Sequence, residues 1–265
     1  EHTHGQKCLR EMGIPEEALF VCLNVRDSAY LASYASDKDW SYHNYRDSDI
    51  DDYVLAAEEL AERGYYVVRM GAKVHDPLQS LNTKVIDYAT NGMRTDFMDV
   101  YIGANCAFAI STGSGWDNVP YVFRRPIVFV NHCPVGEILT YNKDFLIISK
   151  HYWSKKECRE LTLREIFSQS VGLYLDSSEY ELKGIELKEN TPKEIRDISM
   201  EMANRLNGEW QSQKDDEELQ KKFWDILKKL PTKKWNSNVI YNETRLIGHT
   251  RKMNRLKKDY RLNNQ

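Results

Sequence analysis

Cysteine is scarce and scattered in this chain of 265 residues, which holds five cysteines: Cys8, Cys22, Cys106, Cys133 and Cys158. They form no CxxC pair, and their number is odd. Disulfide frameworks and structural zinc sites need paired or clustered cysteines. We therefore expect neither a disulfide framework nor a metal site. Scattered free thiols suit a reducing compartment, which favours a cytoplasmic location.

Long apolar runs and an excess of charge of one sign are also missing. No run approaches the roughly 18 apolar residues of a membrane span, and no secretory signal pattern is present. The formal net charge of −3 argues against a general nucleic-acid binder. With 41% hydrophobic and 29% charged residues, the composition is that of a soluble globular protein.

The last 15 residues reverse the local charge balance, because residues 251–265 contain six basic residues and one acidic residue. One interpretation is a solvated helical end. The other is a peripheral contact with the inner membrane or with an acidic partner. The sequence favours the first and leaves the second open.

Short apolar runs alternate with amphipathic segments over the first 150 residues. Strands are predicted at residues 19–25, 65–70, 85–88, 107–110 and 126–130, with helices between them that begin near Ser48 and Thr95. This alternation predicts an α/β fold with a Rossmann-like, doubly wound parallel sheet. Residues 1–155 are expected to form this Rossmann-like domain. Residues 156–265 are expected to form a helical extension with helices near 161–170, 192–210 and 215–230.

Two arginines stand at predicted strand ends. Arg26 follows the first strand and Arg69 closes the second, just before Gly71. An arginine at the end of a buried strand is costly to hold unless an anion or a carboxylate meets it. Its planar fork suits a diphosphate, and a glycine lets the backbone approach a ligand closely. We predict that both arginines bind one diphosphate, although a structural pair with a nearby aspartate remains the alternative for each.

A glycine-rich turn and a carboxylate complete the predicted binding site. The turn has the sequence Ser111-Thr112-Gly113-Ser114-Gly115 and lies between a strand and a helix, where bare N–H groups can bind an anion. It is neither a Walker loop nor a GxGxxG motif. Asp87 ends the short third strand and is assigned to the same edge of the sheet.

Asp27 and His43 are the candidate catalytic bases. Asp27 follows Arg26, and His43 lies in a polar loop with Asn44, Tyr45 and Arg46. Asp99 has two interpretations, as a first-turn helix acid or as a residue that faces the cleft. No Ser-His-Asp order, HExxH motif or metal-ligand cluster is present.

The order of these motifs resembles a bacterial family of proteins assigned as glycosyltransferases and encoded in surface-polysaccharide gene clusters. The resemblance spans about residues 10–135. It rests on FVCLNVRDSAY at 20–30, YRDSDIDDYVLAAEELAERGYYVVRMG at 45–71, VIDYA at 85–89, RTDFMD at 94–99 and FAISTGSGWDNVPYVFRRPIVFVN at 108–131.

A more distant resemblance is to fucosyltransferases of the GT-B fold, whose His-x-Arg strand motif is similar to Asn24-Val25-Arg26. In those enzymes the arginine grips the donor diphosphate, and the turn at residues 111–115 resembles their Thr-x-Ser-Ser phosphate turn. Asn24 stands where they have histidine. The resemblance implies a GT-B-type donor half and an inverting, metal-independent transfer.

Together these features predict a glycosyltransferase that uses a GDP- or UDP-linked sugar as donor, a glycan as acceptor and no tightly bound cofactor. Two alternatives remain on the same fold. One is a non-catalytic module that binds a nucleotide-sugar or a carbohydrate. The other is a sugar-nucleotide epimerase or hydrolase.

Overall fold

The computed structural model describes residues 1–34, 36–138 and 144–227. Within them, six parallel strands form one sheet in the order β3-β2-β1-β4-β5-β6. This all-parallel α/β arrangement confirms the predicted doubly wound, Rossmann-like sheet. The strands are β1 Phe20–Asn24, β2 Tyr66–Met70, β3 Val85–Ile86, β4 Phe108–Ser111, β5 Ile127–His132 and β6 Phe145–Ser149.

Helices cover both faces of this sheet, and short 3-10 helices connect several elements. The α-helices are α1 His2–Glu11, α2 Ala29–Tyr34, α3 Val54–Glu62, α4 Asp96–Asn105, α5 Asn118–Val122, α6 Leu163–Ser168, α7 Ser177–Leu182, α8 Pro192–Leu206 and α9 Asp216–Leu227; the 3-10 helices are Ser41–Arg46, Ile50–Tyr53, Gly115–Asp117, Val135–Glu137 and Val171–Leu173.

Alternate side chains of each strand enter two separate apolar layers. In β1, Phe20 and Cys22 join the layer under α1 and α4, whereas Val21 and Leu23 join the layer under α3 and α8. The continuous apolar runs of the sequence follow from this geometry, because a parallel strand buried on both faces has no solvent side.

The expectation of a purely helical region after residue 155 is incomplete. The strands β7 His151–Ser154, β8 Arg159–Glu160 and β9 Ile185–Lys188 form an antiparallel sheet with β7 in the middle. The expected domain boundary at residue 155 therefore falls between two paired strands. Helix α8 packs its apolar side on the main sheet, in the same layer as α3. The basic segment 251–265 lies outside the described residues.

The helix predicted to begin near Thr95 is capped by that residue, whereas the helical segment predicted to begin near Ser48 is capped one residue later. Thr95 accepts the N–H of Met98 at the start of α4, and Thr162 forms a capping box with Glu165 at the start of α6. Ser48 does not cap the helical segment that follows it. Asp49 accepts the N–H of Asp51 at the start of the 3-10 helix Ile50–Tyr53, which leads into α3.

Candidate functional site

A cleft of about 540 Å³ opens at the carboxyl ends of β1, β2 and β4. Its walls come from the segments that follow these three strands and from the start of α4. The strand order reverses between β1 and β4, since β1 pairs with β2 on one side and with β4 on the other. Ligands of open parallel sheets bind in the crevice at such a reversal point.

Cationic side chains outnumber carboxylates on the walls of this cleft. Its lining includes two carboxylates, Asp27 and Asp99, and four cations: Arg26, Arg46, Lys73 and Arg94. The lining therefore has a surplus of two cations before Asp47, the ion-pair partner of Arg26, is counted, and such a surplus favours anions in the cleft.

Arg26 lies at the base of the cleft and is largely buried. Its Nη1 contacts a carboxylate oxygen of Asp47 and donates to the carbonyl of His43 at 3.1 Å. Within the described chain, these bonds all use Nη1, so Nε and Nη2 are available to a ligand. Burial lowers the pKa of this guanidinium, and Arg46 lowers it further, while Asp47 raises it. Arg26 thus has an acidic partner, Asp47, as a structural ion pair would, and it also lines the cleft.

Arg46 joins the loop after β1 to the glycine-rich turn after β4. Its Nη2 donates to the carbonyl of Gly113 at 2.7 Å. Gly113 has a φ of 89°, a left-handed conformation that glycine adopts without strain. Arg46 therefore spans the reversal point between β1 and β4, which places a second guanidinium beside Arg26.

The structure does not bring Arg69 or Asp87 to the cleft, and it places them in the structural pair that the sequence left as the alternative for Arg69. Arg69 is only 1% exposed, and it is not among the residues that line the cleft. Its Nη1 donates to the carbonyl of Asp76 at 2.7 Å and lies 3.4 Å from Asp87 Oδ2. Asp87 also accepts the N–H of Leu78 and the hydroxyl of Thr90. These residues form a structural pair that fixes the segment between β2 and β3.

Asp117, which the sequence did not single out, occupies the centre of the glycine-rich turn. Its carboxylate accepts the Ser111 hydroxyl at 2.5 Å, the Ser114 N–H at 2.5 Å and the Asn24 amide at 3.2 Å. Thr112 Oγ1 accepts the N–H of Arg26. Ser111 and Thr112 are therefore buried, their hydroxyl groups stabilise the turn, and neither residue lines the cleft.

The backbone amides of Thr112, Gly113 and Ser114 in this turn have internal acceptors as well. Thr112 N donates to the Asn24 carbonyl, and Gly113 N donates to the Ser111 hydroxyl. The turn therefore differs from the anion-binding loop of bare amides that the sequence predicted, because it surrounds the carboxylate of Asp117. Of its five residues, only Ser114 and Gly115 line the cleft.

Asp27 lines the cleft, but both of its carboxylate oxygens already accept backbone hydrogen bonds. Oδ1 accepts the N–H of Ala29 at 2.8 Å, and Oδ2 accepts the N–H of His75 at 3.0 Å. These bonds join the start of α2 to the segment after β2. Gly71, on that second segment, also lines the cleft, and a Cβ there would lie 2.6 Å from Val74 Cγ1. The glycine is therefore required for close packing of this wall.

His43 lines the cleft within a group of aromatic rings. Its ring is nearly parallel to that of Trp40, with an interplanar angle of 11° and centroids 6.3 Å apart. Burial lowers the pKa of His43, and the charges of Arg26 and Arg46 lower it further. Its Nδ1 is buried without a hydrogen-bond partner among the described residues. The imidazole is therefore neutral near pH 7 and able to bind a polar ligand atom.

Arg94 and Asp99 face the cleft from the start of α4. Arg94 Nη2 lies 2.5 Å from Asp99 Oδ2, and burial raises the pKa of Asp99. The sequence left Asp99 open between a first-turn helix acid and a residue that faces the cleft, and the structure shows that it lines the cleft; Arg94 was not predicted there. A signal was present, because an arginine just before a helix N-terminus opposes the helix dipole and calls for a compensating anion. Lys73 offered no comparable signal.

Two buried titratable groups near the turn give the free energy of unfolding opposite pH dependences. Burial lowers the pKa of His132 from 6.5 to about 4, so its contribution to stability is lost as the pH falls through that range. Burial raises the pKa of Asp117 from 3.8 to about 6, so its contribution is lost as the pH rises through that range.

We expect each shift to be worth about 3 kcal/mol over its full range. Denaturant unfolding at a series of pH values measures it. His132→Gln should lose less stability than the parent on acidification from pH 6.5 to 4. Asp117→Asn should lose less than the parent on going from pH 3.8 to 6. Parallel profiles for the parent and both variants would contradict this.

Within residues 1–34, 36–138 and 144–227, no group of three or more His, Cys, Asp or Glu side chains is arranged to hold a metal ion. None of the helices in these ranges has the length and apolar character needed to cross a bilayer.

Comparisons with known proteins do not identify the site, so its interpretation rests on its geometry. No family model matches the chain, and no curated protein matches its sequence.

Proposed function

We propose that the cleft binds a nucleotide-sugar through its diphosphate and that the chain transfers the sugar to a hydroxyl acceptor. One observation carries this proposal: Arg26, Arg46, Lys73 and Arg94 line a single cleft at the point where the strand order reverses. A diphosphate places two or three negative charges in a small volume, which matches such a cluster. Guanidinium groups bind phosphate oxygens through paired hydrogen bonds.

The same cations would serve the reaction as well as binding. When the bond between sugar and diphosphate breaks, negative charge grows on the leaving oxygen. Cationic groups that are already in place stabilise that charge without reorganising, and enzymes usually owe more of their rate enhancement to such stabilisation than to any other effect. Arg26 and Arg46 are suited to this role, because hydrogen bonds to His43 and Gly113 hold their guanidinium groups in place.

Flat apolar surfaces beside the cations favour a ligand that is more than inorganic phosphate. Tyr30, Trp40 and Trp116 line the cleft together with the cations. Aromatic rings pack against nucleobases and against the apolar faces of sugars. A ligand with a base, a diphosphate and a sugar would use both kinds of surface.

The donor class and the biological role follow from the sequence resemblance. We propose a GDP- or UDP-linked sugar as donor, a glycan as acceptor and a role in surface-polysaccharide biosynthesis in the cytoplasm. A GT-B enzyme joins two Rossmann-like halves, and the described residues contain one such sheet. The proposal is therefore limited to a GT-B-type donor half.

A thermal-shift titration with GDP, UDP, TDP and CMP tests the binding step, because a ligand that binds only the folded state raises its apparent stability. We expect one of the diphosphates to raise Tm. We expect Arg26→Ala to weaken its binding about 10- to 100-fold, the loss typical of a charge-assisted hydrogen bond. Arg10→Ala is the matched control, because Arg10 pairs with Glu16 on the exposed surface. No Tm shift with any nucleotide, or equal losses in both variants, would refute the proposed site.

Incubation with a panel of UDP- and GDP-linked sugars tests the reaction. A transferase without its acceptor should release the nucleoside diphosphate slowly, as water takes the place of the acceptor. Isomerised sugar would indicate an epimerase instead. Binding without any chemical change, with or without added glycans, would indicate a non-catalytic module.

A further inference from the structure

Asp99 lines the cleft, and one of its two carboxylate oxygens has no hydrogen-bond partner among the described residues. Its Oδ2 pairs with Arg94 Nη2 at 2.5 Å, and its backbone carbonyl accepts the indole N–H of Trp116 at 3.2 Å. These contacts fix the residue one turn into α4, behind the Thr95 cap. Its Oδ1 is buried and has no hydrogen-bond partner among the described residues.

Arg94, the ion-pair partner of Asp99, also has an atom without a hydrogen-bond partner. Its Nε is also buried and has no partner in the described part of the chain. Buried polar atoms are almost always hydrogen-bonded, so two unpaired atoms on one ion pair in a cleft point to an absent ligand group. A group that donates would satisfy Asp99 Oδ1, and a group that accepts would satisfy Arg94 Nε. A hydroxyl does both, whereas a phosphate only accepts.

The surroundings of Asp99 make it a stronger base than an exposed carboxylate. Burial raises its pKa, while Arg94 and the hydroxyl of Tyr88 lower it and the charge of Asp96 raises it. Asp27, the other carboxylate of the cleft, already accepts two backbone N–H groups through its two oxygens. The Asp99 carboxylate pairs with Arg94 and interacts with the Tyr88 hydroxyl, and its Oδ1 has no partner within hydrogen-bond distance among the described residues.

We propose that Asp99 is the general base that binds and deprotonates the acceptor hydroxyl, an inference that rests on the proposed function. In this step the hydroxyl oxygen forms a bond to the anomeric carbon of the donor sugar. Its proton passes to Asp99 Oδ1. The bond between the anomeric carbon and the diphosphate oxygen breaks, and the nucleoside diphosphate leaves with the electron pair.

Steady-state kinetics of nucleoside diphosphate release from the nucleotide-sugar that the parent turns over tests this role. We expect Asp99→Asn to lower kcat about 100- to 10,000-fold, the usual contribution of a general base, and to change the affinity for the free diphosphate less than threefold. Asp96→Asn is the matched control. Asp96 lies in the same helical turn and also contacts Arg94, but it is exposed and does not line the cleft. Its kcat should stay within threefold of the parent.

The pH profile of the parent gives a second measurement that does not depend on how the variant folds. The logarithm of kcat should fall at low pH with the ionisation of one carboxyl group whose pKa lies above the ordinary range for aspartate. An Asp99→Asn variant with the parental kcat and pH profile would overturn the assignment of Asp99 and leave the donor site intact. A parent protein that neither binds a diphosphate nor releases one would overturn the proposed function itself.

Discussion

Replacing Arg69 with methionine is expected to lower the free energy of unfolding by about 3–5 kcal/mol, measured by denaturant unfolding. The loss arises because Asp87 would remain charged in a largely buried position without its guanidinium partner. The Asp76 carbonyl would also lose its donor. Because Arg69 does not line the cleft, the affinity of the folded variant for a nucleoside diphosphate should remain within about twofold of the parent.

The double variant Arg69→Met/Asp87→Asn separates charge from packing. The asparagine is neutral, and its carbonyl oxygen can still accept the N–H of Leu78. It should recover about 1–2 kcal/mol of the loss, since no unpaired charge remains buried. If Arg69→Met were nearly as stable as the parent but bound the diphosphate at least tenfold more weakly, Arg69 would be a ligand contact after all.

Arg26 and Arg69 look alike in the sequence, and strand register explains why they differ. Arg69 lies inside β2, opposite Leu23 of β1, so its side chain enters the layer between the sheet and its helices. Arg26 lies two residues beyond the end of β1, in the segment that forms the cleft. A shift of a few residues along a strand thus decides whether an arginine lines the cleft or is buried beside the sheet. The predicted strands at 19–25 and 65–70 already placed the two arginines differently, but the sequence alone did not show that Arg69 would pair with Asp87.

The main sheet was predictable because its strands are short apolar runs between amphipathic helices. β6 was missed, since four apolar residues in Phe145–Ile148 do not distinguish a strand from a helix. β7 and β8 were missed because they are short and flanked by charged residues. The pairing of β7 with β9, more than 25 residues away, depends on tertiary contacts that no local pattern reveals.

The candidate site was harder to predict than the fold, because it depends on contacts between distant segments. The composition of the glycine-rich turn predicts free backbone amides that could bind an anion. In the structure the carboxylate of Asp117 occupies that position and accepts hydrogen bonds from Ser111 and Ser114. Arg46 reaches the cleft because its guanidinium bonds to Gly113, which is 67 residues away. Composition marked the edge of the sheet at which the cleft opens. Only the folded arrangement shows which side chains there are already satisfied.

Asn131→Ala is expected to cost about 3–5 kcal/mol of unfolding free energy, because the change leaves several buried polar groups unpaired at once. The Asn131 side chain accepts the N–H of Asn190 at 2.6 Å and donates to the hydroxyls of Ser48 and Tyr53 at 2.7 and 3.0 Å. Its φ of 52° adds to the cost, since alanine tolerates this left-handed conformation poorly. Asn131→Gly removes the same bonds without that strain and should be about 1 kcal/mol more stable than the alanine variant in denaturant unfolding.

This substitution also tests whether a residue outside the cleft helps to position the residues that line it, because Asn131 itself does not line the cleft. Asn131 positions Ser48, whose N–H donates to the carbonyl of Arg26 at 3.0 Å and which follows Arg46 and Asp47 in the chain. We expect Asn131→Gly, at a temperature where it is folded, to bind the diphosphate several-fold more weakly than the parent, although every cation of the cleft is still present. Unchanged affinity in this variant would mean that the contacts of Arg26 and Arg46 with His43 and Gly113 are sufficient to fix the two guanidinium groups.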